Sequence, residues 1–474
     1  MKDIPEFAVN YARSLGATYS EVRIQKDTSD ATIIKNGEPQ FSGFLREFGL
    51  GIRLIINGAL GFASTNELEK DSIAETILSA ASMARASANT LRRPILLSNA
   101  RVSREKWEVK QKRKLSSVSI EDKLKLLLEA DKNFKLKGGA KFPARILSLS
   151  ETVTEKAYLN SEGTHIISKI PRASFHYMAT AYSAGKGTAQ RYNKKGASGG
   201  WEVISSWNVA DFISEEAKVL SSILTKGKRP PKGSLDAILG SELVGIVCHE
   251  SCGHPFEADR ILGREAAAAG ESFVKTETLG TRLGSEHVTI VDDPTIPNSY
   301  GHYSYDDEGV RASRRELIKK GIVNTFLHNR ETAAELGIES NASARAISYN
   351  REPIVRMSNT YMEKGDHNLD ELIESVAMGV YIKSFMEWNI DDKRFNQRYV
   401  GLEAYLIRKG EIKHLVRNPV LEITTPSLFM SVDAVGKDID YSAAVCGKGD
   451  PQQGAPVWTG GAEVRLRNIK LGGA

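Results

Sequence analysis

The stretch His249-Glu250-Ser251-Cys252-Gly253-His254 decides how the rest of the chain is read. It has the form H-E-x-x-x-H. Two imidazoles can hold a divalent metal, and a carboxylate beside the first can move protons for an activated water. The spacing is one residue longer than the H-E-x-x-H of zinc protease helices. At about 100° per residue, histidines at i and i+4 lie ~40° apart on one face. At i and i+5 they lie ~140° apart, so an undistorted helix cannot offer both to one ion. A π-turn absorbs one residue and realigns the faces. The spacing therefore predicts a bulged or broken helical turn at Cys252–Gly253, with Gly253 admitting the distortion.

A catalytic zinc usually takes three protein ligands and keeps one position open. Working outward, Cys446 is one candidate, alone in Val445-Cys446-Gly447-Lys448 with a glycine beside it. Cys252 is another. It lies i+3 from His249, ~60° around a regular helix, so spacing alone prefers it to His254. Residue types and spacing leave this choice open.

With 474 residues, the chain is too long for one compact core, and two or three domains are expected. Hydrophobic content of 41% and charged content of 26% fit a soluble globular protein. A net charge of +5 at this length gives no case for nucleic acid or an anionic membrane. There is no apolar run of membrane-spanning length. The start, Met1-Lys2-Asp3-Ile4-Pro5-Glu6, does not read as a signal peptide. Three cysteines, Cys248, Cys252 and Cys446, argue against a disulfide framework and suit a reducing cytoplasm.

Periodicity predicts an α+β protein. Residues 1–90 read as a small α/β unit: a helix over 4–15, strands at Glu21–Lys26, Ala31–Lys35, Phe48–Ile56 and Leu60–Ala63, and a helix over Leu68–Ala88. Asn36-Gly37 and Asn57-Gly58 mark hairpin turns. Gly49-x-Gly51 precedes an extended segment and reads as strand geometry rather than a dinucleotide loop. Residues 91–228 form a middle mixed domain, with helices at Ile120–Lys135 and Ala210–Leu224 and antiparallel strands between Ala144 and Ala184. The linker-like run Lys226–Gly233 closes it. Residues 229–474 form a large strand-rich domain that carries the metal site on the distorted helix, with a further helix over Asp370–Lys383.

The run Cys248–Asp259 resembles the H-E-x-x-G-H-x-x-E-x-D signature of the TldD/PmbA family. Further similarities follow in order. They are Val291-Asp292-Asp293-Pro294-Thr295-Ile296-Pro297, Asp306-Asp307-Glu308-Gly309, Met357-Ser358-Asn359-Thr360-Tyr361, Glu403-Ala404-Tyr405-Leu406-Ile407 and Val445-Cys446-Gly447-Lys448 with Pro456-Val457. Gly49–Arg53 and Gly61–Ala63 are similar to the family's opening domain. The resemblance spans nearly the whole chain. It implies a metalloprotease subunit in which His249, His254 and Cys446 bind one zinc and Glu250 is the catalytic carboxylate. The family pairs motif-bearing TldD-type subunits with motif-lacking PmbA (TldE) types. This chain keeps the motif, which implies a homodimer or a heterodimer with a motif-lacking relative. It departs from the family at Phe385–Asn389, where a Gly-rich run is usual, and near Asn341–Arg345.

In the expected chemistry, Glu250 takes a proton from water and returns it to the leaving amine. Glu257 and Asp259 are candidates to orient an imidazole. His302, Tyr303 and Tyr305 are candidates for oxyanion stabilisation. Strand-rich surroundings suggest that substrate is an extended peptide added as a strand, favouring short or unstructured chains. Competing readings are a non-catalytic subunit with structural zinc, with Cys252 among four ligands, and an amidase on non-protein substrates.

Overall fold

The computed structural model describes residues 3–135, 139–265 and 270–473. Met1 and Lys2 of the N-terminal run read above lie outside the described residues, as does Ala474. The first half is organised by one long sheet. Its elements are α1 (Asp3–Ser14), β1 (Tyr19–Lys35), β2 (Glu38–Ile56), β3 (Ala59–Thr65), α2 (Lys70–Ala88), β4 (Arg104–Glu108), α3 (Ile120–Lys135), β5 (Lys141–Asn160), β6 (His165–Ser183), β7 (Gly187–Ser198), α4 (Trp201–Ser206) and α5 (Val209–Lys226). The strand order is β3-β2-β1-β5-β6-β4, with β7 also on β6. The turns Asn36-Gly37 and Asn57-Gly58 have both residues at positive φ, the geometry that matches the twist of a two-residue hairpin. The two strands expected at 21–26 and 31–35 are one strand, because the polar link Asp27–Asp30 stays in register with both β2 and β5.

Alternation separates the faces of this sheet. Val22, Ile24, Ala157 and Leu159 face α1 and α2, and Leu147, Leu149, Phe175 and Tyr177 face α3 and α5. The units expected at 1–90 and 91–228 thus share a sheet, each with its own helix-covered core. The opposite face is polar and meets the C-terminal half. Arg23 donates to the carbonyls of Ser348 and Arg351, and Gln25 to that of Ile347. Arg53 bridges Glu21 (2.8 Å) and Glu308 (2.6 Å). Here the Gly-x-Gly of β2 has its reason: a Cβ at Gly51 would lie 2.2 Å from the Tyr349 carbonyl.

Beyond residue 230 the chain forms a nine-stranded and a six-stranded sheet. β8 (Gly233–Leu239) lies in the first, and α6 (Ser241–Cys248) follows it. Every residue of α6 from Leu243 to Cys248 is buried. The helix packs on the strands Asn359–Met362, Asp440–Lys448 and Gln453–Gly461 of the six-stranded sheet. Gly245 allows the approach, since a Cβ there would lie 2.7 Å from the Gly460 amide nitrogen. The helix expected over Asp370–Lys383 is confined to Leu369–Glu374, capped by Asn368. Met378–Ile382 is instead a strand, parallel to β8 and antiparallel to Ala404–Arg408. Its Val, Tyr and Ile fill a buried central strand, and that pairing outweighs helical periodicity.

Candidate metal centre

α6 does not stop at Cys248. It passes into a π-turn over His249–Gly253 and then a 3-10 turn over His254–Phe256, where Pro255 can donate no hydrogen bond. The His254 N–H donates to the His249 carbonyl, a five-residue span that takes up the extra residue. The expected distortion is present, but Gly253 serves it differently from the expectation. Its φ of −53° and ψ of −63° are ordinary right-handed values. What excludes a side chain is Met357, whose Sδ would lie 1.9 Å from an added Cβ.

The realigned rings of His249 and His254 lie 4.9 Å apart between centroids, at 80° to each other. Cys446, on the edge strand Asp440–Lys448, completes the group. One ligand atom from each of the three falls within 4.8 Å of the others, and all three residues are buried. Cys446 Sγ is 3.4 Å from His254 Nε2. Two ligands on one tetrahedral zinc are separated by about 3.5 Å. His249 Nδ1 is buried with no hydrogen-bond partner. Two imidazoles and a thiol converging on one point suit a borderline-soft divalent ion. Cys252 stands outside the group, in the apolar core, where burial pushes its thiol pKa well up.

The surroundings hold charge in place. His254 Nδ1 meets Glu257 Oε2 at 3.0 Å, leaving Nε2 toward Cys446. Glu257 also accepts from Arg260 Nε at 2.8 Å and lies 3.3 Å from Lys448 Nζ. Asp259 accepts from Lys448 at 2.7 Å. Burial opposes ionisation of Glu257, but Lys448, His254 and Arg260 hold its carboxyl well below the usual range. Burial raises Asp259 despite Lys448. Burial alone would lower His254, but Cys446 and Glu257 raise it to about 9. Burial likewise opposes a thiolate at Cys446, and His254, His249 and Arg356 overcome it, holding the pKa well below the usual thiol value. Both shifts favour the charged forms, a thiolate at Cys446 and an imidazolium at His254. A divalent cation can replace that proton.

Glu250 points to a partner that sequence reasoning missed. Arg394 Nη1 donates to Glu250 Oε2. The arginine arrives from a hairpin 144 residues away, and no local pattern could have announced it. Lys448 was legible in principle, since two residues along a strand from Cys446 is the same face. His302 and Tyr303 sit elsewhere. His302 Nδ1 meets the Pro294 carbonyl at 2.8 Å, and the Tyr303 hydroxyl donates to the Ala342 carbonyl at 2.8 Å. Among the described residues, neither is hydrogen-bonded to His249, Glu250, His254 or Cys446.

Three family models match along the chain. They are the PmbA/TldA metallopeptidase domain 1 at residues 20–84, the central domain at 113–221 and the C-terminal domain at 232–473. A metalloprotease of Methanothermobacter thermautotrophicus is 33% identical over 455 residues, covering 96% of this chain and 95% of that one. A zinc metalloprotease TldD homolog of Saccharolobus solfataricus is 26% identical, covering 98% and 99%. In fold, the chain is similar to TldE from Thermococcus kodakarensis, with a TM-score of 0.76 at 16% identity over 99% of each chain. A Thermotoga maritima structure gives a TM-score of 0.79 at 18% identity, covering 99% and 100%. With all three domains matched and the metal motif retained, the chain belongs to the PmbA/TldD metallopeptidase family, as a subunit of the TldD type.

Proposed function

We propose that this chain is a zinc peptidase that hydrolyses short or unstructured polypeptides, with Glu250 as its general base. The observation that carries the reading is the convergence of His249, His254 and Cys446 on one point, with Glu250 next to the first ligand on the π-turn. Bound there, one zinc ion would bring the pKa of water toward neutrality and polarise the scissile carbonyl. The protein's own part is to aim and to move protons. Glu257 fixes His254 with its proton on Nδ1, so that Nε2 is the ligand atom. Glu250, whose Oε2 is held by Arg394, offers Oε1 to the attacking water and then gives the proton to the departing amine. Cys446 thiolate donates more charge than an imidazole, which favours tight metal binding and modest turnover.

The surroundings support an extended substrate. Cys446 lies on the end strand of the six-stranded sheet, where a peptide can pair by its backbone. Across that strand Val445 borders a cavity of about 350 Å³ between the polar face of the long sheet and the C-terminal half, lined also by Lys156, Arg172, Tyr303 and Pro456. The likeness to a TldE fold supports pairing with a motif-lacking relative, or with a second copy. A ligand thiolate and three free cysteines support a reducing, cytoplasmic setting. No helix among the described residues is long and apolar enough to cross a membrane. The test is to strip the protein with a chelator, restore zinc, and compare an unstructured casein-like chain with a compact protein. Cleavage of the first only, lost on stripping and recovered with zinc, is expected. Equal cleavage of both, or cleavage indifferent to the chelator, would count against the reading.

A further inference from the structure

The reaction just described gives Arg394 no contact with the reacting atoms. Arg394 and Glu250 are side chains with only 13% and 10% of their surface exposed. Arg394 stands in the turn between the strands Phe385–Ile390 and Asn396–Gly401, and that turn is pinned on every side. Its φ of 64° places it in the left-handed region, which a residue with a Cβ keeps only where its surroundings require it. The Arg394 N–H donates to the Asp391 carbonyl at 3.0 Å, and its carbonyl accepts from Thr425 Oγ1 at 2.8 Å. The Asp391 carboxylate accepts from the amides of Phe395 and Asn396, and the Lys393 carbonyl from that of Phe273. The guanidinium has five N–H donors. Glu250 engages Nη1, and Nε is buried with no partner. A desolvated cation with an unmet donor, beside the base, is placed to receive a second anion.

Peptide hydrolysis generates that anion next to Glu250. The water oxygen bonds to the carbonyl carbon, the π pair of the C=O bond moves onto its oxygen, and the water proton passes to Glu250. As the new oxyanion forms, the carboxylate that neutralised Arg394 loses its charge. We propose that Arg394 is a catalytic residue that donates to the oxyanion of the tetrahedral intermediate. When the C–N bond then breaks, its electron pair leaves on nitrogen, which takes the proton from Glu250. The oxyanion pair re-forms the carbonyl, and Arg394 returns to the carboxylate. Tyr399 is the neighbouring alternative, but its hydroxyl already donates to Gln397 Oε1.

This assignment rests on the peptidase reading, and the experiment separates the two. The zinc-loaded protein, Arg394→Gln and Arg394→Lys are matched for zinc content. Each is then measured for kcat and KM on an unstructured peptide and for Kd with a phosphinic peptide, whose tetrahedral anion imitates the adduct. Arg394→Gln is expected to lose about 10²–10³ in kcat with KM nearly unchanged, and phosphinic affinity by a similar factor. Arg394→Lys should fall between. Arg394→Asn, which tolerates the left-handed backbone, replaces the Gln variant if that misfolds, and is judged by the same two numbers. Unchanged phosphinic affinity, or a rise in kcat that would make the ion pair a latch, overturns the assignment alone. A parent protein that holds zinc but neither cuts peptide nor binds the phosphinic peptide overturns the peptidase reading, and this one with it.

Discussion

Lys448 shows how much of the centre depends on one side chain. Fully buried, it joins Asp259 and Glu257, and through Glu257 it steadies His254. Lys448→Met would leave buried Glu257 and half-buried Asp259 short of a cation. A loss of about 3–5 kcal/mol in stability is expected, with zinc affinity down about 10–100-fold, read by denaturant melts and chelator competition. Unchanged zinc affinity would show that the network does not act on the ligand. His328 supplies a pH prediction. Burial lowers it from 6.5 to about 4, so the folded protein keeps it neutral while the unfolded chain takes a proton near 6.5. Its contribution is complete above about pH 6.5 and is lost as pH falls to about 4, up to about 3 kcal/mol. His328→Gln should flatten the fall in stability between pH 7 and 5, and parallel curves for the two proteins would contradict this. At this scale the sequence was readable where neighbours in the chain are neighbours in space. His249, Glu250 and His254 lie on one helical run, and their spacing showed the H-E-x-x-x-H pattern while leaving Cys252 as a rival ligand. Arg394 reaches the centre from a hairpin turn and Lys448 from the strand that carries Cys446, and only tertiary pairing brings them there.

The element that matters most is the helix carrying the motif. Its extra residue required a π-turn, and the turn is there because five residues, not four, separate the backbone partners His249 and His254. Gly253→Ala would force a methyl group into Met357. A loss of about 1–3 kcal/mol and weaker zinc binding are expected from melts with and without chelator. A variant as stable as its parent, with equal zinc affinity, would mean that the turn relaxes freely. The helix expected over 370–383 failed for a complementary reason. Leu369–Glu374 carries its own cap, a local signal, but Met378–Ile382 is fixed by β8 and by Ala404–Arg408, and nothing local encodes those partners.

At the scale of the molecule, the long sheet presents an apolar face to helices and a polar face to the C-terminal half. In sequence, such strands look like half-exposed ones, since alternation alone cannot tell a wet face from one buried against carbonyls and ion pairs. The joint between halves was therefore hidden, although β1, β2, β3, β5 and β6 were visible at least in part, while β4 and β7 were not read as strands. Arg53 bridges it, with Glu21 on one side and Glu308 on the other. Arg53→Met should cost about 3–5 kcal/mol, read by calorimetry, because two buried carboxylates lose their cation. A shift of under about 0.5 kcal/mol would show the joint to be held by other contacts.

We propose Glu250 as the base of a zinc-dependent peptidase. The most direct test compares the zinc-loaded protein with Glu250→Gln at equal zinc content, on one unstructured peptide library. Cleavage by the first and a loss of at least about 10²–10⁴-fold in the second are expected. Equal cleavage by both would contradict it.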